Sequence, residues 1–139
     1  MATTIDVILD RVRSLCVGTP FGFVEAVSSD DFVLDTRDEV FRVEARGGQV
    51  VSGTGYTEER TDALAVEVRR LVNADYPATR RALLRDANSL VAVIVRDGHV
   101  TSGAYTIPDE GRSQTILGAR GSAALTLRLT VPANYDATV

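Results

Sequence analysis

The sequence contains no lysine and no tryptophan, one cysteine and one histidine, and each shortage excludes a class of function. Without lysine, neither a lysine Schiff base nor a lysine-bearing phosphate loop is available. The single cysteine, Cys16, permits no internal disulfide, and the single histidine, His99, cannot build a multi-histidine metal site. No apolar run approaches the roughly 18 residues of a transmembrane helix, and the amino terminus lacks the basic region of a secretory signal. We therefore expect a soluble protein that is not secreted.

What is present is the composition of an ordinary globular protein. The 139 residues are 45% hydrophobic and 24% charged, so a buried core is expected within a single domain covering residues 1–139. All fifteen basic residues are arginine, and the net charge is −4. A net negative chain is a poor candidate for binding nucleic-acid phosphates or anionic membranes. Composition alone identifies no chemistry beyond these exclusions.

Two segments carry the spacing of an amphipathic helix. Residues 4–16 place apolar side chains three and four positions apart, which predicts the first helix. The second is predicted to begin near Pro77, since proline suits the first turn, and to continue to about Arg96. Its end, Val91–Val95, is rich in β-branched residues, so a separate strand there stays an alternative.

The remaining apolar segments predict strands. Val40–Arg46 alternates apolar and polar side chains and is expected to end at Gly47-Gly48. Gln49–Asp62 is polar without a period and is predicted to be a long loop. Residues 64–72 fit a helix as well, but their alternation favours a strand. Further strands are predicted at Phe23–Val27, Phe32–Leu34, Val100–Ile107 and Ala123–Val131, with Pro132 ending the last. Together these elements predict an α+β fold, an antiparallel or mixed sheet with two helices packed on one face.

No catalytic, cofactor or metal site emerges from the residues. His99 with Asp97 would suit a general base, but without further partners a surface histidine beside a turn explains it better. Cys16 lies on the apolar face of the first helix and is interpreted as a small hydrophobic residue. The acidic segment 30–39 lacks the ligand spacing of a calcium loop.

The glycine segments 53–55 and 118–121 resemble fragments of phosphate loops but lack the strand-to-helix context. We therefore predict no enzyme and no cofactor.

Charged residues on the second helix and on strand 64–72 are candidates for contacts with other proteins. Arg80, Arg81 and Arg85 form a basic patch that suits phosphate or an acidic partner, or is a solvated face neutralised by Asp86. The pair Arg69-Arg70 straddles both faces of its strand, so one arginine must point inward or toward a partner subunit. The candidate subunit-interface residues are Tyr56, Glu58, Glu67 and Arg69.

The plan of the chain resembles the tail terminator (tail completion) proteins of long-tailed bacteriophages and related phage-like particles. The resemblance covers nearly the whole chain and rests on the order of the elements and on four loosely patterned segments. These are Phe41–Ala45, Ala65–Val72, Ala78–Leu84 and Ala124–Leu129, with the polar stretch Gln49–Asp62 between the first two.

The resemblance implies a homohexameric ring that caps the tail tube, stops tube polymerisation and presents a surface to the head-side neck. Its partners would be copies of itself, the tube protein and a neck or connector protein, with DNA only passing through the channel. Closure of a ring requires head-to-tail contacts, which sheet edges and the segment Gln49–Asp62 can supply. The alternatives are a head-completion or neck adaptor protein, a small cytoplasmic module that binds a ligand or partner, and a small enzyme using His99 or Cys16.

Overall fold

The structure is a computed structural model that describes residues 2–17, 24–25, 39–53, 57–72, 75–98, 105–108, 110–118 and 123–138. In these residues the chain forms two α-helices and six β-strands, and the expected α+β fold is confirmed. The helices are α1 (Ile5–Val17) and α2 (Tyr76–Arg96). The strands are β1 (Ala2–Thr3), β2 (Val24–Glu25), β3 (Glu39–Gly53), β4 (Thr57–Leu71), β5 (Ser113–Leu117) and β6 (Ala124–Thr138).

The strands form one mixed sheet in the order β1-β6-β4-β3-β2, and β5 also pairs with β6. The long strands β3, β4 and β6 run antiparallel to one another, as does β5 to β6. The two-residue strands β1 and β2 add parallel pairs to β6 and β3. Three strands of fifteen residues each therefore dominate the sheet.

Helix α1 confirms the amphipathic pattern of residues 4–16. Its side chains Ile8, Val12 and Cys16 are fully buried, four residues apart along one face. The hydroxyl of Thr4 accepts a hydrogen bond from the Val7 amide at 3.4 Å and caps the first turn. The local sequence and the tertiary packing thus specify the same helix.

Helix α2 starts at a capped turn and runs without interruption to Arg96. The Asp75 carboxylate accepts a hydrogen bond from the Ala78 amide at 3.0 Å, and Pro77 occupies the first turn. Residues 91–95 belong to this helix, so the alternative of a separate strand is wrong. Burial of Leu90 and Ile94 on its core face explains why helical packing prevails over the β-branched composition.

The core lies between the two helices and one face of the sheet. The pairing register places Val43, Val66 and Leu129 side by side on adjacent strands, all at most 5% exposed. Burying each such side chain contributes on the order of 1.5–3 kcal/mol. The same face carries Phe41, Leu64, Val68, Leu125, Leu127 and Val131. The alternation predicted for 64–72 and 123–131 therefore marks the face that receives the helices.

The predicted loop Gln49–Asp62 is wrong, because strand β3 continues to Gly53 and β4 begins at Thr57. Gly47-Gly48 does not end the strand but forms a bulge, where the register shifts between Ala45 and Gly48. Gly47 has a φ of 104°, and a Cβ on Gly48 would collide with the Asp62 carboxylate. The two glycines let the strand bend and continue.

Pro132 does not end the last strand either, since β6 runs to Thr138 with Pro132 opposite Ala63. The backbone of Asn134 exchanges two hydrogen bonds of 2.8 Å with Thr106, on the side away from β4. Residues two apart in a strand direct their backbone groups to the same side. The missing N–H of Pro132 therefore costs no hydrogen bond to β4, and the residues predicted as a polar tail form strand instead.

Other predicted strands fall largely outside the described residues. Of Phe23–Val27 the structure describes only the two residues of β2, and 32–34 lie outside it. Of Val100–Ile107 only residues 105–107 are described, with a single bridge at Thr106. Neither helix in the described part of the chain is long and apolar enough to cross a membrane.

Candidate functional site

Past the bulge at Gly47-Gly48, strands β3, β4 and β6 continue together as a ladder, here called the arm (residues 46–53, 57–62 and 133–138), and β1 pairs with the end of β6. One face of the arm still belongs to the core, since Ala133, Tyr135 and Ala137 are buried members of the core cluster. In the arm, Gln49 pairs with Thr61, and Thr61 pairs with Asn134. The Thr61 hydroxyl donates a hydrogen bond of 2.7 Å to the Asn134 side-chain oxygen. Backbone ladders and polar cross-strand contacts hold β3 and β4 of the arm, which explains why Gln49–Asp62 shows no apolar period.

The base of the arm contains a buried polar contact. The Tyr135 hydroxyl donates a hydrogen bond to the Asp62 carboxylate, and the two side chains are 5% and 4% exposed. Burial and this contact raise the pKa of Tyr135 to about 12, because both disfavour the phenolate. The tyrosine therefore links β6 to β4 as a neutral donor.

The exposed end of the arm carries two apolar side chains. Val50 and Val51 are 51% and 58% exposed, and they lie where the register shifts between Val50 and Ser52. A bulge alters the direction of side chains and the local twist of its strand. The two adjacent valines form a small exposed apolar area that a partner could cover.

Two acidic side chains face each other at the same end of the arm, on the sheet face opposite Val50, which pairs with Arg60. Glu59 of β4 pairs directly with Asp136 of β6, and both are exposed. Directly opposed like charges destabilise a sheet. Arg60 lies on the other face, where its guanidinium is 3.6 Å from Asp62 and 3.9 Å from Glu58. We call Val50, Val51, Glu59 and Asp136 together the arm tip.

A second surface lies at the start of α2, where Tyr76, Pro77, Arg80 and Arg81 line an open cleft of about 460 Å³. We call it the α2 cleft. Both arginines are exposed, and Tyr76 packs partly against the core. Asp75 caps the amino terminus of the helix, so the positive charge of the α2 cleft comes from the side chains of Arg80 and Arg81. An apolar floor with a basic rim suits an acidic partner that also carries hydrophobic side chains.

The basic patch of Arg80, Arg81 and Arg85 is not neutralised by Asp86 in the way the sequence suggested. The Asp86 carboxylate accepts hydrogen bonds of 2.7 and 3.0 Å from Arg70 of β4. This bidentate pair is half-buried between helix and sheet. Asp86 therefore anchors α2 to the sheet, and the positive charge of the patch faces outward.

The candidate interface residue Glu67 lies in a buried charge cluster on the sheet face opposite the core. It is 2% exposed, and its carboxylate is 2.8 Å from Arg42 and 3.0 Å from Arg46. Arg128 approaches its other oxygen to 3.6 Å. These partners belong to the same chain, so Glu67 has a structural role here, and its role between subunits stays a prediction.

The other candidate interface residues occupy different environments. Arg69 is buried at 5% exposure on the face opposite Arg70, as the straddling pair predicted. Glu58 lies on the arm, partly exposed, and Tyr56 falls outside the described residues. The arm thus brings Glu58 close to the arm tip, while Arg69 lies in the body of the sheet.

The residues of the alternative catalytic interpretation are engaged in packing where they are described. Asp97 is 3% exposed and accepts hydrogen bonds from Arg11 at 2.7 and 2.9 Å and from the Tyr105 hydroxyl at 3.1 Å. Burial first, then Asp97, raises the pKa of Tyr105, and Asp97 also raises that of Arg11. Cys16 is fully buried, and His99 lies outside the described residues.

The remaining segments considered for ion or phosphate binding fall largely outside the structure. Within 30–39 only the end of the segment is described, and 54–55 and 119–121 are not. Among the described residues, no group of three histidine, cysteine or acidic side chains is placed to hold a metal ion.

Several residues of these surfaces were missed from sequence. Val50, Val51 and Glu59 belonged to a predicted loop, and Asp136 to a predicted tail. Two adjacent valines inside a polar segment were the available signal. No protein-family model matches the chain, and no curated protein is similar enough to be matched to it.

Proposed function

We propose that this chain is a structural protein of a phage tail or phage-like particle. Copies of it form a homohexameric ring that caps the tail tube and ends its polymerisation. The ring then joins the tail to the head-side neck, and DNA passes through its channel. The protein works in the virion after assembly in the host cytoplasm, and its partners are its own copies, the tube protein and a neck protein.

The arm is the observation that carries this proposal. It continues the sheet past the glycine bulge of β3, and it ends in exposed valines and acidic side chains. Residues 57–62 of β4 span roughly 20 Å, so the exposed side chains lie at one end of a long sheet, where another copy can contact them. Head-to-tail contacts of this kind generate rings when the rotation closes.

The charge of the chain supports the same assignment. A net charge of −4 suits a channel through which DNA must slide, because a basic wall would bind phosphates and retain the nucleic acid. The described basic side chains of the sheet body are largely engaged with carboxylates, as the Glu67 cluster and the Arg70–Asp86 pair show. Arginine here serves mainly to hold the protein together.

The test is a tube-polymerisation assay with the tail-tube protein encoded in the same genome. Tube subunits are allowed to assemble with and without this protein, and tube lengths and tube ends are examined by negative-stain electron microscopy. We expect shorter tubes with a ring at one end when the protein is present. A buried-core variant, Leu90→Asp, provides an unfolded control of equal size.

The other outcomes assign the chain elsewhere. Rings that bind neck or head proteins but leave tube length unchanged would favour a head-completion or adaptor protein. A chain that neither assembles nor affects tubes, and that is stabilised by a small ligand in a thermal-shift panel, would be a binding module. Either result would overturn the capping function.

A further inference from the structure

We infer that the arm tip of one copy docks in the α2 cleft of the next copy, and that this contact builds the ring. The inference rests on the proposed function, since it names the contact that the ring would use. Its support is the charge, the hydrophobicity and the placement of the two surfaces within one chain.

The charges of the two surfaces are complementary. Glu59 and Asp136 oppose each other on the arm tip, whereas Arg80 and Arg81 form the exposed rim of the α2 cleft. A guanidinium placed between the two carboxylates would relieve their repulsion and form charge-assisted hydrogen bonds. The acidic pair therefore gains from a cation supplied by another copy.

The apolar parts match as well. Val50 and Val51 are more than half exposed on the arm tip, and Tyr76 and Pro77 form the apolar floor of the α2 cleft. The volume of about 460 Å³ accommodates two valine side chains. A docked arm tip would thus bury hydrophobic side chains on both copies, while Glu59 and Asp136, on the sheet face opposite Val50, meet the arginines of the rim.

Within one copy the two surfaces are too far apart to meet. Glu59 precedes Arg70 by eleven residues of β4, roughly 36 Å of extended strand. Arg70 pairs with Asp86 in the middle of α2. Later in the helix, Val91 lines a cleft together with Leu129, which lies nearer to the arm than Arg70 does. Helix α2 therefore runs toward the arm, and its first turns lie at the opposite end of the sheet.

A contact between different surfaces at opposite ends of the chain is heterologous. Such a contact repeats from copy to copy, and it yields a closed ring or an open filament depending on the rotation. A two-fold dimer would have to use the contact twice, with the arm tip of each copy in the α2 cleft of the other. The placement of the two surfaces permits head-to-tail assembly, which is the arrangement that a ring uses.

A second cleft, of about 340 Å³ between α2 and β5, is a weaker receptor for the arm tip. Its described lining includes Val91 and Leu129, but Arg112 is the one arginine among those lining residues. A single cation at the rim matches two carboxylates less well than the pair at the α2 cleft. Cross-linking to Ser113 on its rim distinguishes the two receptors.

Disulfide cross-linking tests the contact directly. Chains carrying Val51→Cys are mixed with chains carrying Pro77→Cys and oxidised mildly; the native Cys16 is fully buried and stays unreactive. We expect a covalent pair of the two chain types. In the control mixture, Val17→Cys replaces Val51→Cys. Val17 is 54% exposed on α1, and this control should give only the background yield of cross-linked chains. Three results would overturn the inference. They are background yield in the test mixture, cross-linking of Val51→Cys chains to Ser113→Cys chains in place of Pro77→Cys chains, and a predominance of Val51→Cys homodimers.

A charge exchange provides an independent measurement. Glu59→Arg and Arg81→Glu each weaken the association constant about tenfold or more, and the double variant recovers most of that loss. Glu110→Arg reverses an exposed acid away from both surfaces and leaves association unchanged. Thermal unfolding of all variants separates lost contact from lost fold. Additive losses in the double variant would contradict a direct pairing of these side chains.

One chain carrying both cysteine substitutions separates this inference from the proposed function. A covalent ladder that stops at six copies supports both. A ladder of unlimited length leaves the contact standing and refutes the ring. Wild-type rings without the Val51–Pro77 cross-link refute the contact and leave the ring standing.

Discussion

The guanidinium of Arg70 on β4 holds the carboxylate of Asp86 on α2 through two hydrogen bonds of 2.7 and 3.0 Å. This pair fixes the position of the helix on the sheet, because its two members are 22% and 12% exposed at the edge of the core. The exposed arginines nearer the start of the helix, Arg80 and Arg81, face outward. The pair thus serves the fold, and the exposed arginines form the surface on which the proposed assembly depends.

Replacing Asp86 should destabilise the protein more than replacing an acid in an exposed pair. We expect Asp86→Asn to lower the free energy of unfolding by about 1–3 kcal/mol, since it weakens a bidentate, half-buried pair. Asp10→Asn is the matched control, because the Asp10–Arg13 pair is exposed and should contribute less than about 0.5 kcal/mol. Urea unfolding at equal salt measures both, and equal losses would contradict the anchoring role of Arg70–Asp86.

Replacing the buried Glu67 should lower the free energy of unfolding more than replacing Asp86 does. Glu67→Gln removes the negative charge that faces Arg42 and Arg46, so two guanidinium groups remain partly buried without it. We expect a loss of about 3–5 kcal/mol in the free energy of unfolding. Glu44→Gln, at a half-exposed position that also pairs with Arg46, is the control and should lose much less. A small loss for Glu67→Gln in chemical denaturation would argue against a structural cluster.

Gly48 should tolerate alanine less well than its neighbour Gly47. A Cβ on Gly48 collides with Asp62 and the Thr61 carbonyl, whereas a Cβ on Gly47 meets open space but is strained by the positive φ of 104°. We expect losses of about 2–4 kcal/mol for Gly48→Ala and about 1 kcal/mol for Gly47→Ala. Thermal unfolding ranks the two, and hydrogen exchange of Gln49 reports whether the arm opens. The reverse ranking would show that the bulge is wrongly placed.

The buried phenol of Tyr135 should make stability fall at alkaline pH. Its pKa is raised to about 12 in the folded chain, against about 10 when unfolded, so the folded state favours the protonated form. This contribution is complete below about pH 10 and is lost as the pH rises toward about 12. Tyr135→Phe should therefore show a shallower decline over that window in urea unfolding. An identical pH dependence for both proteins would contradict the buried Tyr135–Asp62 contact.

The exposed valines of the arm tip should matter for assembly and not for folding. We expect the double change Val50→Thr and Val51→Thr to leave the free energy of unfolding within about 0.5 kcal/mol, because both side chains are more than half exposed. The same change should reduce self-association measured by sedimentation velocity. Val17→Thr, at a similarly exposed valine of α1, is the control and should leave association unchanged. Unchanged association in the double variant would remove the arm tip from the interface.

The helices and the core strands can be predicted from the sequence, because the spacing of their apolar side chains matches the face that packs in the core. Ile8 and Val12 mark one face of α1, and Leu127 and Leu129 mark one face of β6. The arm cannot be predicted in this way. Most of its cross-strand pairs include polar side chains, and one of its strands, β6, comes from a distant part of the sequence. Pro132 misleads for a related reason, since its effect depends on which neighbour its nitrogen faces.

The candidate surfaces were predictable only in part. Arg80 and Arg81 stand out as a basic pair in the sequence, and Glu58 was expected to serve an interface. The opposition of Glu59 and Asp136, 77 positions apart, depends on the register of two strands that no local pattern reveals. The partner of Asp86 likewise becomes known only when β4 and α2 are placed together.

Native mass spectrometry over a concentration series tests whether the chain assembles into a ring of six copies. We expect a species of six times the 14.9 kDa chain mass, populated at the expense of the monomer as concentration rises. Intermediate species should be sparse, because a closed ring gains one contact more than any open chain of the same copies. A dimer that persists at every concentration, with no larger species, would contradict the account, since a two-fold contact would then occupy the surfaces that the ring requires.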